Sequence, residues 1–202
     1  MKNDLKTANQ IDKEVAELVR GFELGPILPH LELVGHGQVM EVKDETGTAN
    51  RYYKWLACLM RLLRPRQVVE LGAAAGISTI MMATQLPKSS TLYSVDIDSQ
   101  AWKWMKFDYS QVTKILGDDL DMNIWDGINL LETDVWFIDT AHFQSQLRKE
   151  FELYRPFWKK GAIVVLDDIH NPELEPVWNE IMEDKCDNSV PNHYSGFGFL
   201  LI

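Results

Sequence analysis

Apolar and polar positions change rhythm near residue 67 of this chain. Before that point the spacing is helical. Ile11 to Arg20 carries apolar residues at 11, 15, 18 and 19, and Thr48 to Leu63 carries them at 52, 55, 56, 59, 60 and 63, each along one face of an amphipathic helix. Between them GFELGPILPHLELVGHGQ (21–38), rich in Gly and Pro, reads as an irregular connection. From 67 onward short β-branched runs recur: QVVEL (67–71), TLYSVDI (91–97), VTKIL (112–116), DVWFID (134–139), AIVVLDD (162–168) and a last run, GFGFLLI (196–202). ISTIMMATQL, AWKWMKF, FQSQLRKEFELYRPFW and PELEPVWNEIMEDK lie between or after them and suit helices.

Strands alternating with helical segments predict βαβ units. The expected fold class is α/β: a Rossmann-like, doubly wound, mostly parallel seven-stranded sheet with an antiparallel last strand, plus N-terminal helices. Residues 1–64 are expected to form a helical cap on a core of 65–202, the whole making one structural domain. In such sheets ligands sit beyond the carboxyl ends of the strands, near the switch in strand order. Those ends are therefore where chemistry is to be sought.

Strand one runs into ELGAAAGIST. Gly72, Ala73, Ala74, Ala75 and Gly76 make a turn of small residues, which lets a ligand approach the backbone and exposes amides at a helix start. No Gly-Lys-Ser/Thr follows, so the turn is not a P-loop. Strand two ends at Asp96, 24 residues after Gly72, where a carboxylate can accept both hydroxyls of a ribose. Ile97 beside it suits either a flat purine or plain core packing. Strand three ends ILGDD, where Asp118 or Asp119 can accept from an adenine amino group or bond the local backbone. Strand four ends at Asp139 with His142 following, and strand five ends at Asp167 and Asp168. If these ends are neighbours, three carboxylates repel one another. A divalent cation resolves that, Mg²⁺ first, with Mn²⁺ or Ca²⁺ as alternatives; solvation or helix capping are the plainer readings.

In this order VVELGAAAGIST, SVDID, ILGDD, FIDTAH and KKGAIVVLDDIH resemble the class I S-adenosylmethionine-dependent methyltransferases over roughly residues 65–170. The strand-four and strand-five endings are similar to those of metal-dependent O-methyltransferases, catechol-type and macrolide-sugar or cephalosporin-hydroxylase-like. The resemblance implies that Glu70, Gly72, Ala73, Ala74, Gly76 and Ser78 form the turn for the methionine part of the cofactor. Asp96 and Ile97 would then meet the ribose and base, and Asp118, with Asp119 beside it, the adenine. It implies Asp139, Asp167 and Asp168 as a Mg²⁺ set, and Asp139 with His142 as catalytic, His142 being the base. The chain departs from the family twice: Ala74 stands where a middle glycine is usual, and Thr140 where I-D-G-x-H has its Gly. If that position needs positive φ, Thr is a costly occupant.

The expected activity is metal-assisted O-methylation of a small-molecule hydroxyl: a sugar, a phenol or a natural-product intermediate. The alternatives are a metal-independent N- or protein methyltransferase, a NAD-binding oxidoreductase, and a non-catalytic cofactor-binding protein. The oxidoreductase expects G-x-G-x-x-G, and Ala74 and Thr79 break it. His30, His36, Tyr52, Tyr53 and Trp55 are placed over the pocket, although aromatics at helical spacing are more often core.

Composition narrows the partners. A net charge of −10 and a pI near 4.9 oppose phosphate-backbone binding, and RLLRPRQ (Arg61, Arg64, Arg66) reads as the basic end of a helix. No nucleic acid and no membrane are expected, since no apolar run nears the roughly 18–20 residues of a membrane helix. The first residues show no signal-like apolar core, and Cys58 and Cys186 lack metal-ligand spacing. A cytoplasmic location follows as the expectation, with self-association as a homo-oligomer, a dimer first, usual for such folds.

Overall fold

Side chains alternate across a strand, so a sheet covered on both faces needs two separate apolar layers. The computed structural model of the chain, described for residues 6–30, 51–189 and 195–202, shows both. Val68, Leu92, Val135, Phe137, Ile163, Val165, Phe197 and Phe199 join one buried cluster with the helices α1 (Ala8–Arg20), α2 (Arg51–Leu63) and α3 (Ile77–Gln85). Val69, Leu71, Val95, Trp136, Ile138, Val164 and Leu166 join a second, with α4 (Gln144–Tyr154) and α5 (Glu175–Glu180).

The sheet has seven strands in the order β3-β2-β1-β4-β5-β7-β6. They are β1 (Gln67–Leu71), β2 (Thr91–Asp96), β3 (Val112–Leu116), β4 (Val135–Ile138), β5 (Ile163–Asp167), β6 (Asp184–Asp187) and β7 (Phe197–Leu201). The first five pair in parallel, and β7 runs antiparallel to both β5 and β6. The expected doubly wound sheet with an antiparallel last strand is therefore present. Strand order reverses between β1 and β4, where Leu71 pairs with Ile138, and their next residues, Gly72 and Asp139, stand side by side at the carboxyl edge.

Two segments differ from their expected helices. AWKWMKF folds into turns, because its backbone serves the turn after β1. The Trp102 amide donates to the Ala74 carbonyl at 2.8 Å, the Trp104 amide to that of Ala75 at 3.2 Å, and the Trp102 indole N–H to Ser94 Oγ at 2.7 Å. Residues 172–185 are not one helix either. Pro176 sits in the first turn of α5, a favourable place for proline, and the chain becomes extended at Ile181 and enters β6. DKCD carries three charged residues, a composition that suits an edge strand and hides it from a hydrophobic pattern. The expected helix start at 48–50, His36, and the His193–Tyr194 part of the HYSGFGF segment lie outside the described residues.

The N-terminal helices belong to the core. Thr7 caps α1 in a reciprocal capping box with Gln10, worth about 1 kcal/mol. Ile11 and Val15 are buried, the Trp55 indole N–H donates to Asp12 at 3.1 Å, and the Ala8 amide donates to Asp184 of β6 at 2.8 Å. Ile11→Ala should therefore lower chemical-denaturation stability by about 2–4 kcal/mol. Wild-type stability in that variant would mean α1 is an appendage.

Candidate active site

The turn after β1 depends on glycine for two physical reasons. Gly72 has φ 84°, and a Cβ there would lie 1.8 Å from the Asp139 carbonyl oxygen. Gly76 has φ 86°, and its Cβ would meet Met105 Cγ at 2.9 Å. Ala74 also takes a left-handed conformation, φ 43°. The chain thus keeps the backbone of a middle glycine with an alanine, at a cost of about 1 kcal/mol.

Asp96 organises this turn. Its Oδ2 accepts from the amides of Ala73 and Ala74 at 3.0 and 2.7 Å, and its Oδ1 from the Asp98 amide at 2.7 Å. The amides expected to face a ligand therefore meet the carboxylate expected to hold ribose. Oδ2 thus takes two donors already, while Oδ1 keeps capacity for a second. Glu70 and Ser78 lie elsewhere. Glu70 is fully buried and accepts hydroxyl hydrogens from Ser78, Thr79 and Ser94 at 2.5, 2.6 and 2.5 Å. Burial raises its pKa to about 7 despite those bonds. These two residues brace the turn from beneath and do not line the cleft above it.

That cleft, of about 400 Å³, is lined by Gly72, Ala74, Asp96, Ile97, Asp118 and Asp119, and by Asp139 to Ala141 and Gln146. Its size suits a small cofactor, and it opens at the switch in strand order. Ile97 is 71% exposed, which removes the core-packing alternative and leaves a flat apolar wall. Asp118 is exposed and its carboxylate accepts from the Leu120 amide, whereas the Asp119 carboxylate accepts from Gln146. A larger groove, about 550 Å³, lies between α4 and α5 beside the Arg148–Glu180 ion pair. None of the candidate residues lines it, and it is far from the strand ends where polar groups converge.

Beside the cleft, Asp139, Asp167, Asp168 and His142 come together. Burial, then the charges of Asp139 and Asp168, push Asp167 well above the ordinary carboxylate range. Asp168 adopts φ 55°, a strained conformation for a residue with a side chain, of a kind concentrated at functional sites. The His142 ring lies between two of the acids, 3.7 Å from Asp139 and 2.9 Å from Asp168. Asp139 and Asp168 raise the imidazole to about 10, the shorter contact being the one to Asp168. In this position the protonated ring offsets both carboxylates, and a neutral imidazole near pH 7, the form a base needs, requires those two contacts to loosen.

The donor chemistry of the three acids fits a hard divalent cation, since all are carboxylates under mutual repulsion. Their spacing is not a finished ligand shell. Among the described residues no three His, Cys, Asp or Glu side chains are arranged to hold a metal ion, and the His142 ring stands between Asp139 and Asp168. Tyr52 is buried nearby, its hydroxyl pKa raised by desolvation first, then by Tyr53, Asp167 and Asp139. Tyr53 and Trp55 are buried in the core.

Thr140 carries no left-handed strain, since it is not among the described non-glycine residues with positive φ. Its hydroxyl instead donates to Glu150 Oε1 at 2.5 Å, where the Gln146 amide also donates at 2.9 Å. Glu150 is fully buried, and burial raises its pKa to about 8. Sequence reading passed over this group. Its signal was a glutamate on the apolar face Leu147, Phe151, Tyr154 of an amphipathic helix.

A family model described as a methyltransferase domain matches residues 69–169, half of the chain. The chain belongs to this methyltransferase family. Among solved structures it is similar to a Staphylococcus aureus protein assigned as a caffeoyl-CoA O-methyltransferase (18% identity, 94% of this chain and 98% of that one, TM-score 0.64). It is also similar to the O-methyltransferase TomG from Streptomyces achromogenes, solved with S-adenosylmethionine (17%, 96% and 98%, TM-score 0.63). A methyltransferase from Geobacter sulfurreducens matches too (18%, 94% and 98%, TM-score 0.59). At these identities the structures speak for the fold, which is that of the class I methyltransferases. No described helix is long and apolar enough to cross a membrane.

Two variants of this methyltransferase test the bracing of its turn. Gly72→Ala should cost more than about 2 kcal/mol in urea denaturation, because neither the φ nor the space admits a Cβ. Glu70→Gln tests linkage. A carboxyl whose folded pKa lies above its unfolded value binds more protons when folded, so wild-type stability falls as pH rises from about 4.5 through about 7. Glu70→Gln should remove on the order of 3 kcal/mol of that fall between pH 4 and pH 8; an unchanged slope would show that Glu70 is ionised without cost.

Proposed function

We propose that this methyltransferase transfers the methyl of S-adenosylmethionine to a hydroxyl of a small molecule. The observation that carries the reading is the cleft itself. It runs from the Gly72 turn past Asp96 and Ile97 to Asp118, and its other wall begins at Asp139, which also belongs to the acid set. Donor and acceptor would thus share one residue boundary.

The reaction is an in-line displacement: the acceptor oxygen attacks the sulfonium methyl, the carbon–sulfur bond breaks to leave a thioether, and the hydroxyl proton departs. Asp96 would hold the ribose through Oδ1, the side-chain-free Gly72 turn would let the methionine part lie against the backbone, and Ile97 would pack on the base. Tyr52, buried beside Asp167 and Asp139, would exclude water from the acceptor side. Asp139, Asp167 and Asp168 would hold a divalent cation, Mg²⁺ first, and its charge would acidify the acceptor hydroxyl. His142 would take the proton only after leaving Asp139 and Asp168, since its ring then returns toward an ordinary imidazole pKa near 6.5.

One observation favours a second reading, a methyltransferase that needs no metal: the His142 ring already stands between Asp139 and Asp168, where its protonated form would balance them. The two readings separate on binding alone. S-adenosylmethionine and S-adenosylhomocysteine should raise the melting temperature, and Asp96→Ala should weaken calorimetric affinity about tenfold or more. Titration with Mn²⁺ should show one site in wild type that Asp167→Asn abolishes while cofactor affinity stays. Absence of Mn²⁺ binding in wild type selects the metal-independent reading, and absence of a melting shift with both nucleosides overturns the cofactor.

A further inference from the structure

Gln146 sits on the first turn of α4 and faces the cleft at the end beyond Asp96, where β3 gives way to Asp118 and Asp119. Its amide is held on both hydrogens. The nitrogen donates to Asp119 Oδ1 and Oδ2 at 3.3 and 3.2 Å, and to Glu150 Oε1 at 2.9 Å. The two acids are themselves fixed. Thr140 donates to the same Glu150 oxygen, and the Tyr154 hydroxyl donates to the Asp119 carbonyl while accepting from the Trp125 indole N–H at 3.0 Å.

This fixes which way the amide points. A flipped amide would set its carbonyl oxygen against both oxygens of the Asp119 carboxylate, acceptor against acceptor. The nitrogen therefore faces the acids, and among the described residues no donor takes Gln146 Oε1. The side chain lines the cleft, so a ligand donor is the natural partner for that oxygen. Asp119, expected from sequence to meet the base, is already engaged as the acceptor that orients Gln146.

We propose that Gln146 is a specificity-determining residue that reads the exocyclic amino group of the cofactor's purine through its Oε1, with Asp119 and Glu150 as the groups that orient it. The inference rests on the cofactor reading above. It commits the site to a 6-aminopurine. A 6-oxopurine would bring an acceptor to the same oxygen, and the fixed amide has no free hydrogen to turn toward it. The recognition is thus built from the first turn of the helix after β4, and Asp118 is left as a solvent-facing residue whose carboxylate closes a local turn.

The test compares S-adenosylhomocysteine with its deaminated counterpart, S-inosylhomocysteine, by isothermal titration calorimetry on the full chain. Wild type should prefer the amino compound about tenfold or more, the size expected when a polar partner is left unsatisfied. Gln146→Met, close in volume and without the carbonyl, should bring the ratio to within about twofold, and Asp118→Ala should leave it at the wild-type value. Glu150→Gln, which retains the helix and frees the Gln146 amide to turn, should reduce the preference while keeping affinity for both ligands, so the case does not hang on one variant folding. Equal binding of the two compounds by wild type overturns the proposal, as does full preference in Gln146→Met or its loss in Asp118→Ala. Each of those leaves the cofactor reading standing. Failure of wild type to bind either compound overturns both together.

Discussion

Everything at the carboxyl edge of the sheet depends on one backbone contact. Gly72 leaves β1 so close to the Asp139 carbonyl that no side chain fits between them. The contact lies at the switch in strand order, where helices depart to opposite faces and a cleft must open. Because β1 and β4 are pinned there, the Gly72 turn and the Asp139 corner become facing walls of one cavity. Asp96 then closes the turn from the side by taking two of its amides, and Trp102 and Trp104 anchor the next loop on its carbonyls. Glu70 locks the underside through three hydroxyls.

The fold was largely legible because burial on both faces of a parallel sheet writes itself as β-branched runs. QVVEL and VTKIL match β1 and β3 residue for residue. What failed was governed by partners distant in sequence. AWKWMKF has helical spacing, yet its amides are claimed by Ala74 and Ala75. DKCD has no strand signature, yet it pairs with β7. In the candidate site, residue types at strand ends were readable, since the topology dictates where they emerge. Their hydrogen bonds were not. Thr140 read as a misfit because a glycine is usual there, and its hydroxyl turns out to bond Glu150, a residue on another element. The pairing of His142 with Asp168, likewise, is a 2.9 Å contact that no spacing rule contains.

The acids along this edge share a physical theme. Glu70, Glu150, Asp119 and Asp167 all have pKa values pushed upward, with burial as the leading cause in each. They do not serve alike. Glu70 is braced by hydroxyls and acts on the backbone; Glu150 and Asp119 orient an amide; Asp167 sits among the like charges of Asp139 and Asp168. Perturbed carboxyls mark the functional edge of the sheet, and only their partners separate structural acids from those that could meet a ligand.

A chain with a net charge of −10 that gathers acids around a cleft favours cationic occupants over anionic ones. S-adenosylmethionine carries a sulfonium, and that positive charge disappears as the methyl leaves. A strongly negative wall beside the sulfur would therefore stabilise the bound donor more than the transition state, and so oppose transfer. A protonated His142, or the divalent cation proposed above, would limit that penalty by offsetting Asp139, the acid common to the cleft and the acid set. For either cation the first physical task would be the same: to keep the donor end of the cleft from holding the sulfonium too well.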